Sequence, residues 1–367
     1  MSRSPDVLVI GAGIVGAACA QALVAAGCHV QVLDARRASA TAAGMGHLVS
    51  MDDDAAEFAL TRRSLSLWHG WREHLGSDCA WVGTGTLWVA ANDEEMAEAA
   101  RKQSRLAAGA VDSELLDAAA LARAEPALAR GLAGGLRVPG DAIVYAPAVA
   151  RWLLQLAGVE VEHAEVLALE DPATVRLADG SRRSAGAVLL AAGADAMLLC
   201  PELPLRPKKG HLAITDRYPG LVRHELVELG YIASAQATDG TSVAFNVQPR
   251  PTGQLLIGSS RQFDSADASI DAAVLARMLR RALRYLPALA ALNAIRTWSG
   301  IRPSTPDGLP ILGAHPQRRG LWLALGHEGL GVTTAPASAE LLTAAITGRA
   351  APLDIAPYRA ERWLKAA

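Results

Sequence analysis

The run VLVIGAGIVG, Val7 to Gly16, sets Gly11, Gly13 and Gly16 in G-x-G-x-x-G spacing. Each glycine of such a loop has its own use. The first makes the turn after a strand, the second lets backbone approach a pyrophosphate, and the third lets helix and strand pack closely. The helix that begins at Ile14 and Val15 presents free N–H groups and the positive end of its dipole to that charge. Asp34 stands 18 residues after Gly16, at the end of a second apolar run, with Ala35 next. An acid there accepts hydrogen bonds from a ribose and disfavours a 2′-phosphate. Strand, glycines, helix, second strand and acid together indicate a bound dinucleotide. The glycine spacing alone does not separate FAD from NAD.

The elements that must position these residues are legible in outline. Val7–Ile10 is a short continuous apolar run, as in a strand buried on both faces. Ile14–Ala26 reads as a helix of small residues, ended by Gly27. His29–Leu33 is a second strand. Glu57–Leu75 is an amphipathic helix with Leu60, Ser64, Leu67, Trp68 and Trp71 near one face. Val82–Ala91 alternates like a strand, and the Ala-rich stretch from Met96 to Gly135 is helical in composition. Several short strands fill Val159–Gly193, with a hairpin turn at Asp179-Gly180, and His211–Ser260 is again rich in strands. Ala272–Leu286 is a helix whose Arg277, Arg280, Arg281 and Arg284 read as a solvated face. Near the C-terminus a strand, Gly320–Leu325, enters a second Gly-rich turn, GHEGLG, and then a helix, Thr333–Thr347. Thr333 or Thr334 is its expected cap, with Pro336 in the first turn and Gly348 at the end. Two Gly-turn-to-helix entries so far apart imply one α/β, Rossmann-like nucleotide domain assembled from separated segments. An α+β substrate domain with a mainly antiparallel sheet is inserted into it. The expected division is 1–77, 140–208 and 294–367 for the nucleotide domain, and 78–139 and 209–293 for the other.

Bulk properties exclude several classes. The 367 residues are 51% hydrophobic and 20% charged, with net charge −2, enough for a large core in about two or three domains. There is no basic excess to support nucleic-acid binding. Cys19, Cys28, Cys79 and Cys200 lie far apart without C-x-x-C spacing, so a disulfide framework or a metal or iron–sulfur site is disfavoured. The N-terminal residues do not read as a signal peptide, and no apolar run approaches ~20 residues. The expectation is a reducing, cytoplasmic location, with peripheral attachment to the inner membrane left open.

The small-residue stretch ASATAAGMGHL, Ala38–Leu48, would let backbone lie along a bulky cofactor. Its AAGM resembles the flavin-contacting segment of glycine oxidase and sarcosine oxidase type enzymes in the D-amino-acid oxidase superfamily. LLAAGAD (Leu189–Asp195), SGIRPSTPDGLPILG (Ser299–Gly313) and GHEGLGVTTAPASAELL (Gly326–Leu342) resemble further segments of that family, in the family's order. The resemblance implies FAD. It extends the cofactor-binding set to Ala43, Gly44, Met45, Gly46, Val166, Ala192, Gly193, Gly300, Gly329, Leu330, Gly331, Val332 and Thr333. The N–H groups of Gly331, Val332 and Thr333 would meet the charge that reduction places on the flavin. Since 299–313 holds no Cys, where sarcosine oxidases attach flavin, the FAD is expected to be noncovalent.

The resemblance also implies a substrate site. Arg302 is at the family's carboxylate-binding arginine, a role that suits a bidentate guanidinium; the alternative is a structural Arg paired with Asp307. Asn246 stands where relatives carry a Tyr, which removes the ground for expecting glycine or sarcosine. It either bonds a polar substituent or is only a strand residue. Arg261 falls where some relatives place a Lys over the flavin; it is either a second carboxylate contact or a surface Arg. His47 and His211 are pocket candidates or satisfied structural groups. GMGHL and LLIGSSRQF look most like the FAD-carrying subunit of multimeric cis-4-hydroxy-D-proline dehydrogenases. The implied chemistry is oxidation of a C–N bond by hydride transfer to flavin N5, with a small amino or imino acid as substrate. Electrons would go to a partner subunit or quinone-type acceptor. A free-standing oxidase and a non-catalytic flavin-binding subunit are the alternatives.

Overall fold

The structure, a computed structural model, describes residues 4–230 and 240–365. From the N-terminus, β1 (Val7–Ile10), α1 (Ile14–Ala25) and β2 (Val30–Asp34) form the expected βαβ unit. α2 (Ala40–Ala43), β3 (His47–Leu48) and α3 (Ala55–Trp71) follow. Next come β4 (Thr86–Ala90), α4 (Asp93–Ala108), β5 (Glu114–Asp117), α5 (Ala118–Ala124) and β6 (Gly134–Val138). β7 (Ala142–Ile143), α6 (Ala146–Ala157) and β8 (Val161–His163) lead into β9 (Val166–Glu170), β10 (Thr174–Leu177) and β11 (Arg182–Ser184). β12 (Ala187–Leu190), α7 (Ala196–Leu199), β13 (Arg206–Arg217), β14 (Glu225–Glu228), β15 (Thr241–Pro249) and β16 (Gln254–Phe263) precede α8 (Ala272–Tyr285). β17 (Ala294–Ser304), β18 (Ile311–Ala314), β19 (Leu321–Leu325) and α9 (Gly331–Thr347) complete the order.

Two large sheets result. The first runs β18-β19-β12-β1-β2-β8. It is parallel except for the β18–β19 pair, and the inner strands β1 and β12 are buried along their whole length. α1, α6 and α9 pack over one face of this Rossmann-like layer, where Leu23, Leu153 and Leu341 are fully buried. The second sheet runs β17-β13-β16-β15-β14-β4-β6-β5 and is antiparallel apart from β14–β4. α8 covers one face of it, burying Met278 and Ala282, with Tyr285 stacked on Phe245 at 4.7 Å. β17, which the expected division assigns to the nucleotide domain, is hydrogen-bonded to β13 in this second sheet, from Arg206↔Ser304 to Thr215↔Ala294.

Several local expectations are corrected. The Ala-rich span from Met96 to Gly135 holds two helices, but also β5 and the start of β6. There strand pairing, of β6 with β4 and of β5 with β6, overrides composition. β4 begins only at Thr86; Val82 makes an isolated bridge to Ile143. α3 starts at Ala55 because Asp54 accepts the N–H groups of Ala56 and Glu57, and its last turn tightens to a 3₁₀ turn at Arg72–His74. Arg281 turns inward and forks onto the buried Glu228, with Nε 2.9 Å from Oε2, so it is not part of a solvated face. Within 211–260, residues 231–239 lie outside the described residues.

α9 begins two residues earlier than expected. Thr333 and Thr334 are inside the helix, and Leu330 is its N-cap without a side-chain bond. Pro336 therefore sits in the second turn, where it has no N–H to donate. The neighbouring backbone groups find partners on α3. Ala337 N–H donates to Ser64 Oγ (3.2 Å), and Trp68 Nε1 donates to Thr333 O (3.0 Å). The polar face of Ser64 and Trp68 thus compensates for the proline and locks the start of α9 in place.

Candidate flavin and substrate site

At the nucleotide end, the glycines act by close approach. Gly11 has φ +104, and a Cβ there would lie 2.4 Å from Ala191 O; a Cβ on Gly16 would lie 1.9 Å from Gly11 O. No acid occupies the first turn of α1. Asp34 accepts the N–H groups of Ala12 (2.7 Å) and Arg36 (2.6 Å), so its carboxylate ties the end of β2 to the glycine loop. Thr41 is a residue that the sequence reading missed. Its hydroxyl accepts Ile14 N–H at 3.0 Å, directly over the start of α1. Val166 and Ala192 pack beside Leu33 in one apolar cluster, and Gly193 follows with φ +56.

The segment Ala43–Leu48 is fastened by its backbone carbonyls. Trp298 Nε1 donates to Ala43 O (3.1 Å), Arg250 Nη1 to Met45 O (3.4 Å) and Thr333 Oγ1 to His47 O (2.9 Å). Gly46 has φ +78 and lies against Val144 O. A Cβ on Gly300 would come within 2.4 Å of Ala43 Cβ, and one on Gly258 within 3.1 Å of Met45 Sδ. One face of the second sheet is therefore pressed against the segment 43–45. Trp298, Arg250 and Gly258 were not singled out from sequence. Trp298 and Arg250 carry no motif, Gly258 lies in LLIGSSRQF without a role read for it, and strand register brings all three here.

Arg302 lies on that same face, two residues beyond Gly300 on β17. Its cross-strand partner is Lys208. The guanidinium lies over Gly210, where a Cβ would be 2.5 Å from Nη2, and Nη1 donates to Ser260 O (3.3 Å). Asp307 is bonded elsewhere, to Arg362 Nε at 2.8 Å, so the alternative pairing of Arg302 with Asp307 does not occur. Arg261 is buried, not a surface group, with Nε 4.0 Å from Glu328 Oε1. Asn246 pairs across the sheet with Gly258 and is buried, and its Oδ1 has no hydrogen bond among the described residues. The structure thus brings Arg302, Arg261 and Asn246 to β17, β16 and β15 of the second sheet, with β13 between the first two.

Residues 6–345 match the family model described as FAD dependent oxidoreductase. The chain belongs to this family of D-amino-acid oxidase type. It is 30% identical to a glycine oxidase of Pseudomonas putida over 98% of this chain and 99% of that one. It is 27% identical to hydrogen cyanide synthase subunit HcnC of Pseudomonas aeruginosa, over 99% and 97%. The crystal structure of glycine oxidase from Geobacillus kaustophilus superposes with a TM-score of 0.87 over 100% of both chains, at 26% identity.

Membership makes the chain an FAD-dependent amino-acid oxidoreductase acting on CH–NH groups. The geometry fits the cofactor. An acid-free helix N-terminus suits the pyrophosphate, Asp34 suits a ribose, and the sheet face pressed against 43–45 leads to Arg302. The first N–H groups of α9, at Gly331, Val332 and Thr333, have no acceptor within the helix. They are the groups that would meet flavin charge. No helix of the described residues is long and apolar enough to cross a membrane.

The two histidine candidates separate. His211 Nε2 accepts Asp271 N–H (3.0 Å) and Nδ1 bonds Ser260 Oγ (2.9 Å), so this ring is a fully engaged structural group beside the cap of α8. His47 stays at the site. Its Nε2 bonds Thr86 Oγ1 (2.8 Å), and burial lowers its pKa to about 3, so it works as a neutral hydrogen-bonding group. Its Nδ1 is 3.9 Å from Oε1 of Glu225, a fully buried acid. Burial pushes the Glu225 carboxyl up from 4.5 to about 8. The folded chain then holds a proton that the unfolded chain loses, so stability falls as pH rises from about 4.5 to 8. Glu225→Gln should leave the melting temperature nearly unchanged at pH 5 and raise it by several degrees at pH 8. Equal shifts at both pH values would refute this.

Cys200, Glu202 and His315 bring three metal-ligand types within 4.8 Å. Their hydrogen bonds oppose a metal. His315 Nδ1 accepts Gln317 N–H (3.2 Å), which leaves the ring proton on Nε2, the atom facing Glu202 at 3.2 Å. Glu202 also takes Cys200 Sγ–H (3.3 Å) and Arg318. Glu202 is thus engaged by Cys200 and Arg318, with His315 Nε2 beside it.

Proposed function

We propose that this chain oxidises the C–N bond of a small amino or imino acid, of the D-proline or cis-4-hydroxy-D-proline type, and passes the electrons to a partner protein or quinone-type acceptor. The carrying observation is Arg302, laid over Gly210 on the sheet face that abuts the flavin segment 43–45. FAD, held noncovalently by the segments 1–77, 140–208 and 294–367, supplies hydride acceptance at N5. Everything else is done by side chains and backbone. Arg302 binds the substrate carboxylate and fixes the Cα–H in place. Asn246, with its free Oδ1, meets a polar ring substituent or the amine. The α9 N–H groups stabilise the negative charge that reduction creates. Met45 and Ala43 exclude water from one side. Arg261 supports a second polar contact. The imine leaves and reacts with water.

The acceptor reading rests on Arg261 standing where some oxidases carry a Lys, and on a relative, HcnC, that is itself named a subunit. The four scattered cysteines leave no cluster for an iron–sulfur relay, so a relay would come from another protein of the cytoplasm or inner-membrane surface. The test is an anaerobic screen of amino and imino acids for bleaching of the flavin, followed by mixing with air-saturated buffer. Slow reoxidation, with turnover restored by a dye acceptor, is the expected outcome. Reoxidation as fast as reduction, with stoichiometric hydrogen peroxide, would establish a free-standing oxidase instead. Absence of bleaching by any substrate would point to the non-catalytic subunit.

A further inference from the structure

We propose that Glu328 is a built-in counter-ion that occupies Lys208 and restricts this site to substrates with a single carboxylate. The inference rests on the reading of Arg302 as the carboxylate receptor.

Lys208 and Arg302 are directly opposed residues of β13 and β17. Opposed side chains on one sheet face start only about 4.5–5.5 Å apart. Two cations so placed could hold the two carboxylates of one small dicarboxylic acid. Glu328 prevents this. Its Oε1 lies 3.0 Å from Lys208 Nζ, and both side chains are largely buried. Its other oxygen takes the N–H of Gly329. The backbone of Glu328 is fixed as well: its N–H donates to Pro303 O (3.2 Å), next to Arg302, and its φ is +48. The Lys208 ammonium also sits over the ring of Phe263 at 4.5 Å, so it is steered away from solvent.

Glu328 remains charged. Burial alone would raise its carboxyl, but Arg261, Arg302 and Lys208 hold it down at about 2. A group so acidic is a poor general base near neutral pH, which leaves an electrostatic role. Among the described residues Arg302 has one hydrogen bond, to Ser260 O, so it keeps most of its donors for substrate. A second substrate carboxylate would meet the Glu328 charge in a poorly solvated site, and like charges there discriminate against a ligand.

The experiment uses the FAD-loaded protein and two ligands that cannot be oxidised, butyrate and succinate, titrated against the flavin absorbance spectrum. Wild type should prefer butyrate. Glu328→Gln should shift the ratio of affinities toward succinate by about ten- to a hundredfold, the worth of one charge-assisted hydrogen bond. Adding Lys208→Met to that variant should abolish the gain. If Glu328→Gln does not retain FAD, Glu328→Ala provides the same measurement. An unchanged ratio in the FAD-loaded variant, or a gain that survives loss of Lys208, overturns the proposal. Failure of the Arg302 reading looks different: butyrate affinity would then be equal in wild type and Arg302→Ala.

Discussion

Replacing Arg302 by alanine is expected to lower kcat/KM by roughly one to two orders of magnitude or more. A charge-assisted hydrogen bond contributes about 1.5–3 kcal/mol, and a guanidinium can make two to one carboxylate. FAD content should stay near normal, because among the described residues the side chain bonds Ser260 O alone. Gly210→Ala offers a milder version. The new Cβ would meet the guanidinium, a flexible side-chain end, at 2.5 Å, so the fold should survive while the fork is displaced and KM rises. Steady-state kinetics with the acid and its amide check the assignment. An Arg302→Ala variant that keeps its efficiency, or a wild type that uses the amide equally well, would remove Arg302 from substrate binding.

How far the site was legible depends on whether its signal is local. The glycine loop, α1 and Asp34 are contiguous and each residue type is demanded by close approach, so the sequence pattern and the structure agree. Arg302 was found through resemblance to a family, not through spacing; the C-terminal helix entry is legible in its Gly-rich turn, and only its flavin role came from the resemblance. The remaining parts depend on cross-strand register. Lys208 meets Arg302, and Gly258 meets Met45, only because β13, β16 and β17 pair as they do. Glu328 sits inside GHEGLG, where the glycines drew notice and the acid between them did not. Composition misled in two places. Leu115 and Leu116 lie in an Ala-rich helical stretch but pair as β5, and Arg281 reads as solvated until Glu228 is placed beneath it. Pro336 looks like a first-turn proline because Thr333 and Thr334 look like caps. The true start is set by Gly331 and by the partners that α3 supplies to the backbone.

Gly16→Ala is expected to yield protein with little or no flavin and a markedly lower melting temperature. The added methyl would stand 1.9 Å from Gly11 O and 3.4 Å from Ala191 Cβ. The nearest obstacle is backbone, which cannot swing aside as a side chain can. Relief requires moving α1 away from the turn, at a cost of at least about 3 kcal/mol, the upper end for overpacking. The same movement separates the α1 N-terminus from Thr41 and Asp34, which hold Ile14 and Ala12 by their N–H groups. Charge binding at a helix end falls off within a turn, so this displacement removes the cofactor as well as stability. Gly27→Ala is the control. Gly27 has a positive φ of +94 but nothing within 4 Å, so it carries backbone strain of about 1–2 kcal/mol without a clash. That variant should keep its FAD. Acid precipitation of wild type and of Gly27→Ala should leave FAD in a yellow supernatant, as noncovalent binding demands. Gly16→Ala should release almost none. A Gly16→Ala protein that carries stoichiometric FAD, or a flavin that stays with the wild-type pellet, would contradict the cofactor geometry derived from the glycine loop.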